Sequence, residues 1–296
     1  MTSSADSIHA PDSSTVRETA EQHASEVEAG QRFEFGRNWR GFIERVDETH
    51  IAYAKLALQE LLQVSDLSGV SFLDVGSGSG LSSLAACRLG ARVTSFDYDP
   101  ESVAASEELK RRFHDGAQPW SIGIGSVLDN DFVRSLGTFD IVYSWGVLHH
   151  TGQMYRAIEN VLLCVRPGGV VAIAIYNNQG VWSQRWARVK RIYCGSDVGK
   201  ALMVGAVVPY WVGRNLLSDI VRRRNPITRY REYHQRRGMS NMHDWIDWLG
   251  GWPFEVAKPE EIFRWFTERG YTLLNLTTAG GTMGCNEYVF RRSESR

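Results

Sequence analysis

The chain has 296 residues, enough for one large domain or one domain with an insertion. Its 43% hydrophobic and 23% charged residues are ordinary for a soluble globular protein. A formal net charge of -1 argues against a dedicated nucleic-acid binder with a broad basic surface.

Residues 1–30 are rich in Ser, Ala, Glu and Asp and poor in aromatics, so they read as a disordered tail, with a short helix over the site left open for part of it. They lack an apolar signal core, which makes a cytoplasmic setting the expectation. From Gln31 the character changes. Phe33, Phe35 and Trp39 cluster, then Phe42, Ile43, Val46, Ile51, Leu56, Leu58, Leu61 and Leu62 recur at helical spacing, predicting one or two helices that end before Ser65.

Val70 to Gly80 reads as a buried strand running into a glycine turn, with a helix from Leu81. Glycines at 76, 78 and 80 let the backbone turn sharply and approach a ligand closely. The helix that follows aims its free N–H groups over the turn. A second strand ends in Asp97, at a spacing that suits a ribose-hydroxyl acceptor. Leu81 stands where a dinucleotide fingerprint has a small residue, and Asp74 puts negative charge beside any phosphates. A cationic, phosphate-free nucleoside fits better.

Further strands are expected near 120–124, 139–144 and 170–176, with helices near 81–89, 101–113, 130–135 and 152–165. Such alternation predicts a parallel sheet covered on both faces. The glycine turn, Asp97, Gly125-Ser126-Val127 and Trp145-Gly146 all fall at carboxyl ends of strands, where ligands of such sheets bind. Pro167-Gly168-Gly169 reads as a structural turn. The four cysteines, Cys87, Cys164, Cys194 and Cys285, have no metal-site or disulfide spacing and are expected as buried free thiols.

Residues 178–250 break the pattern with a basic insertion holding an apolar run from Ala201 to Gly213. That run is too short to cross a bilayer, which needs about 20 residues. A solvated helical cap, a wall for a greasy or acidic substrate, a membrane-surface contact and a dimer contact all remain open for it. The segment from His243 to Phe254, with Trp245 and Trp252, is expected to re-enter as a substrate wall, with a core role as the rival. Lys258-Pro259-Glu260-Glu261 starts a helix. Tyr271–Thr277 and Glu287–Phe290 read as a final hairpin.

Leu73-Asp74-Val75-Gly76-Ser77-Gly78-Ser79-Gly80 resembles motif I of the class I S-adenosylmethionine-dependent methyltransferases. The resemblance extends to Phe96–Pro100, to Phe139–His150 and to Val165–Gly169, and within the superfamily it is nearest the ubiquinone-biosynthesis type of O-methyltransferase. It implies a Rossmann-like α/β fold: a mostly parallel seven-stranded sheet with the last strand antiparallel, and a helical insertion forming a cap. The chain then divides into a tail (1–30), a helical lid (31–64), a cofactor-binding core (65–177), a basic and aromatic cap (178–254) and a C-terminal helix and strand pair (255–292).

The cofactor implied is S-adenosylmethionine, with no metal. Asp97 should accept both ribose hydroxyls, and Asp74 should meet backbone or the methionine ammonium. Gly76, Ser77, Gly78 and Gly80 give close approach, Tyr98 lies against the adenine, and Ser126 and Val127 sit near its edge. Trp145 and Gly146 complete the cofactor set. Phe35, Asn38 and Trp39 belong to a lid segment that, by the same resemblance, packs over the methionine moiety, with stapling the helix to the sheet as the equal alternative. His149 and His150, opening the helix after the fourth strand, are candidates to take a proton from a hydroxyl or thiol; Tyr176 and His234 are further candidates. The reaction expected is methyl transfer to a small-molecule acceptor, oxygen ahead of nitrogen, sulfur or carbon, with a lipophilic or acidic acceptor in view. An RNA methyltransferase using the basic insertion, a non-catalytic cofactor-binding scaffold and an NAD-dependent oxidoreductase are the rivals.

Overall fold

The computed structural model describes residues 13–221, 225, 248–282 and 284–294. Seven strands form one sheet: β1 Ser71–Val75, β2 Arg92–Asp97, β3 Trp120–Ile124, β4 Phe139–Trp145, β5 Val165–Tyr176, β6 Tyr271–Thr277 and β7 Cys285–Arg292. Their order is β3-β2-β1-β4-β5-β7-β6. β1 pairs in parallel with β2 and β4, β3 with β2, and β5 with β4. β7 runs antiparallel to both β5 and β6. This is the Rossmann-like sheet expected from the sequence, with its last strand reversed.

The two-residue period of β1 divides the core. Phe72 packs with Leu84, Leu109 and Tyr143 on one face, while Leu73 and Val75 pack with Val142, Ile158 and Ile173 on the other. Each large side chain fully buried in this way contributes about 2 kcal/mol. Helices α1 Ser13–Glu28, α2 Phe35–Ile43 and α3 Glu48–Leu62 precede the sheet; α4 Leu81–Arg88, α5 Pro100–Phe113, α6 Asn130–Ser135 and α7 Met154–Leu163 connect its strands. α8 Val181–Gly195 and α9 Asp197–Val221 form the insertion, and α10 Pro259–Thr267 leads into β6. Asp99 caps α5 by accepting from Glu101 N, with Pro100 in the first turn, and Asp129 caps α6.

Four expectations need correction. The tail is helical from Ser13: side-chain pairs Arg17–Glu21 and Gln22–Glu26 brace one face, and buried His23 anchors α1 beside Asp99 and Tyr98. Pro167-Gly168-Gly169 is no separate turn; β5 begins at Val165 and absorbs these residues in a bulge against β4, with Gly168 at φ +73°. His149 and His150 lie in a 3-10 turn at Leu148–His150, ahead of α7 rather than in it. Cys87 and Cys164 are buried, but Cys194 and Cys285 are only half-buried, because neither lies within the sheet–helix core.

Candidate functional site

The turn between β1 and α4 is possible only for glycine. Gly76, Gly78 and Gly80 have φ of +76°, +54° and +77°, the left-handed region that other residues avoid. A Cβ on Gly78 would fall 3.0 Å from Trp39 Nε1, and one on Gly76 would strike Val147 Cγ1 at 2.4 Å. Gly80 turns inward as the N-cap of α4, against Ser106. It therefore shapes the turn without facing the cavity described next.

Two carboxylates flank the turn. Asp97 Oδ2 accepts from Gly78 N at 2.8 Å and Oδ1 accepts from Asp99 N at 2.9 Å. Each oxygen of an ionised carboxylate has a second lone pair, so both retain acceptor capacity. Asp74, 2% exposed, accepts from Ser83 Oγ at 2.6 Å. Burial drives its pKa up to about 7, opposed by the Ser83 bond and reinforced by Asp97. Asp97 rises to about 6, burial being opposed by the Asp99 and Gly78 N–H groups. Asp97 is half-exposed at the cavity wall, whereas Asp74 is buried at its floor.

A cavity of about 260 Å³ opens above this turn. Of the residues singled out in the sequence, Asp74, Gly76, Ser77, Gly78, Asp97, Tyr98, Ser126, Val127, Trp145, Gly146, Phe35, Trp39 and His150 line it. Asn38, His149, Tyr176 and Trp252 do not. His234 and Trp245 lie outside the described residues. No described residue of 178–254 lines the cavity, so the described part of the insertion stands away from it. Asp129, an acid close to the Ser126 turn, is spent on capping α6.

The two histidines separate clearly. His149 is fully buried between Tyr176, at 4.1 Å between ring centroids, and His150, at 4.5 Å; among the described residues neither ring nitrogen has a partner in good hydrogen-bond geometry. His150 faces the cavity, its Nδ1 lying 2.7 Å from Pro253 O. A carbonyl only accepts, so Nδ1 carries the proton and Nε2 is left as an acceptor. Burial, then Lys190, pushes the His150 pKa down to about 3, keeping the ring neutral. Tyr176 stacks among His149, His150 and Phe254 behind the wall. Trp252 acts through its backbone, its carbonyl accepting from Phe33 N at 2.9 Å.

Sequence reasoning left a short helix over the site open but named none of the residues by which α1 and the segment after it close the cavity. His23, Arg32, Phe33 and Asp99 also line the cavity. The Arg32 guanidinium sits 4.9 Å from the Tyr98 ring centre, bonds Glu26 at 2.9 Å and donates to His150 O at 3.1 Å. Asp99 Oδ2 accepts from Gly36 N at 2.7 Å, fixing the start of α2 against α5. The one local signal was the Asp99-Pro100 cap pair. A second cavity, about 340 Å³, lies between α3 and the β4–β7–β6 edge and shares Ser82, Tyr143 and Trp145 with the first. Glu60 and Glu287 lie in its lining, and Glu287 holds the Trp145 indole N–H at 2.8 Å.

Sheet order, glycine turn and strand-end carboxylate together define a Rossmann-like protein of the class I methyltransferase architecture. Residues 73–171 match the family model for a methyltransferase domain. The ubiquinone biosynthesis O-methyltransferase of Rhizobium leguminosarum bv. trifolii is 30% identical over 111 residues, 38% of this chain and 42% of that protein. The chain thus spans less than half the length of this curated relative. Magnesium protoporphyrin IX methyltransferase from Synechocystis PCC 6803, solved with bound SAH, matches with a TM-score of 0.50 at 14% identity, covering 87% of this chain and 94% of that one. An O-methyltransferase family protein from Burkholderia thailandensis matches with a TM-score of 0.52 at 11% identity, covering 83% and 58%. At these identities the two structures speak to the fold alone. The core of the chain is thus similar, over these residues, to S-adenosylmethionine-dependent methyltransferase domains of class I.

The residues present fit that cofactor. Asp97 retains acceptor capacity on both oxygens beside a glycine whose missing Cβ leaves room. Asp74 suits a cationic ligand and would oppose phosphates. Among the described residues no helix is long and apolar enough to cross a membrane.

Proposed function

We propose that the protein transfers a methyl group from S-adenosylmethionine to a small-molecule acceptor, with an oxygen nucleophile as the leading class. The observation that carries this is the Asp97 carboxylate, held by Gly78 N–H and Asp99 N–H at the mouth of the glycine turn, with Asp74 beneath. When bound, the cofactor supplies an activated methyl on a sulfonium. The protein's task is then alignment and exclusion of water. Asp97 would accept the ribose hydroxyls, Asp74 would face the methionine ammonium, and Tyr98 with Ser126 and Val127 would flank the adenine. Phe35 and Trp39 would close the opposite wall.

His150 Nε2 would accept a hydrogen bond from the acceptor's hydroxyl and orient it. Its environment disfavours the imidazolium, so it would position the nucleophile more than retain its proton. The second cavity, sharing Trp145, Tyr143 and Ser82, offers the acceptor an approach. Its two carboxylates favour a neutral or cationic acceptor there over an acidic one. The O-methyltransferase name of the curated relatives supports oxygen as the acceptor atom. Transfer of labelled methyl to a panel of phenols, alcohols, amines and thiols tests the reading. Label in a hydroxyl compound is the expected result. Failure to bind S-adenosylhomocysteine would falsify it.

A further inference from the structure

We propose that the α8–α9 hairpin docks the protein onto an anionic membrane surface, with α9 lying in the plane of the interface. Among the described residues, the hairpin has one attached side and one bare side. On the attached side, Trp211 stacks on Trp186 at 5.8 Å and meets Trp248 edge-on at 6.0 Å. Buried Tyr193 packs near Phe33, and Cys194 Sγ donates to Gly250 O at 3.0 Å.

On the bare side, α9 exposes Val198, Leu202, Tyr210, Leu217, Ile220 and Val221, from 61% for Leu202 to 74% for Val221. Their spacing follows the helical period, so they form one stripe along a helix of 25 residues. α8 adds Trp182, 59% exposed, with the Arg185 guanidinium 4.8 Å from its ring centre. A stripe of this size left in water marks an interaction surface.

Charge selects the occupant. Among the described residues, 181–221 hold six Lys and Arg, with Lys190 buried, against two Asp, in a chain whose formal net charge is -1. Arg188, Arg191, Lys200 and Arg214 are exposed on the hairpin itself. A second copy would bring two such cationic surfaces together. An RNA would neutralise the charge but leave the apolar stripe wet. An anionic bilayer satisfies both, taking the stripe below the headgroups and the cations among them. Asp197, Lys200, Arg214 and Asp219 on α9 suit a helix lying along the surface rather than through it. The inference stands whether or not the methyl-transfer reading does.

The test is flotation of the full chain with vesicles of phosphatidylcholine alone and of phosphatidylcholine mixed with phosphatidylglycerol. Binding to the mixed vesicles that weakens with salt is the expected result. Two variants probe the two components: Leu202→Asp with Leu217→Asp for the stripe, and Arg185→Glu with Arg188→Glu for the charge. Each should bind the mixed vesicles about tenfold or more weakly while keeping the parent's S-adenosylhomocysteine affinity, which reports an intact core. The proposal is overturned if the parent ignores anionic vesicles or if both folded variants bind as well as the parent. It is also overturned if the parent is a dimer that the Asp variant splits, or if the basic segment carries nuclease-sensitive RNA instead of lipid.

Discussion

Gly78 N–H donates to Asp97 Oδ2 across 2.8 Å, so the glycine turn after β1 and the carboxylate at the end of β2 form one rigid unit. Its replacement should be felt in binding before it is felt in folding. Asp97→Ala would remove the acceptors proposed for both ribose hydroxyls, at a cost of about 3 kcal/mol, roughly a hundredfold in affinity. Calorimetry with S-adenosylhomocysteine measures this, with circular dichroism to confirm the fold. Unchanged affinity in a folded variant would remove Asp97 from the proposed role.

The raised pKa values of Asp74 and Asp97 give a pH dependence of definite sign. In the cofactor-free protein both carboxyls hold their protons more tightly than in the unfolded chain. Folding stability from these groups is therefore fully present below the ordinary carboxyl value of 3.8, falls as pH rises from there to about 6 for Asp97 and about 7 for Asp74, and is flat above. Cofactor binding runs the other way, because a cation and ribose hydroxyls favour the ionised carboxylates. Affinity should climb between pH 5.5 and 7.5 by about one log unit per pH unit at most for each group. Binding should release protons, seen as a buffer-dependent heat. Proton uptake on binding would contradict this assignment.

His150→Ala should lower kcat by about tenfold to a hundredfold, with little change in cofactor affinity. With its pKa at about 3, His150 does not titrate in the working range, so kcat at saturating cofactor should show no limb near pH 6.5 from this residue. His149→Phe provides the contrast. His149 is fully buried and does not line the cavity, so its replacement should change thermal stability rather than kcat.

Gly36→Ala should loosen the lid. A Cβ there would lie 2.4 Å from Glu101 Cβ and 2.6 Å from Ser102 N, so α2 must lift from α5 and stretch the Gly36–Asp99 bond. Overpacking of this kind costs about 1–3 kcal/mol. Because Phe35 and Trp39 ride on α2, S-adenosylhomocysteine should bind about tenfold or more weakly while the sheet melts cooperatively. A Gly41→Ala control, at a position with open space around the missing Cβ, should leave both unchanged.

The sheet was legible because its signals are local. Strand, glycine turn and helix follow one another from Val70 to Arg88, and Asp97 ends the next strand, so their meeting at one cavity follows from parallel pairing alone. Trp145 and Gly146 were found in the same way at the end of β4. What escaped depends on pairings distant in sequence. His23 reaches Asp99, Arg32 reaches Tyr98 and the His150 carbonyl, and nothing in the composition of residues 1–30 announces such partners. His149 and His150 are adjacent in sequence, yet only one faces the cavity; the 3-10 turn that separates them has no period to read. Tyr176 and Trp252 carry aromatic weight that suggested contact with a substrate, and the fold uses them behind the wall instead.

Helices α1 and α2 contribute no strand to the sheet, yet they supply His23, Phe35 and Trp39 to the cavity. Shutting the chamber is therefore separable from building it. Exchange of spent nucleoside for fresh should be timed by how often that leading pair of helices peels back, rather than by bond making. In a rapid-quench experiment the first equivalent of product would then appear faster than all those after it, and a uniform rate from the first turnover onward would show that the door is never the slow step.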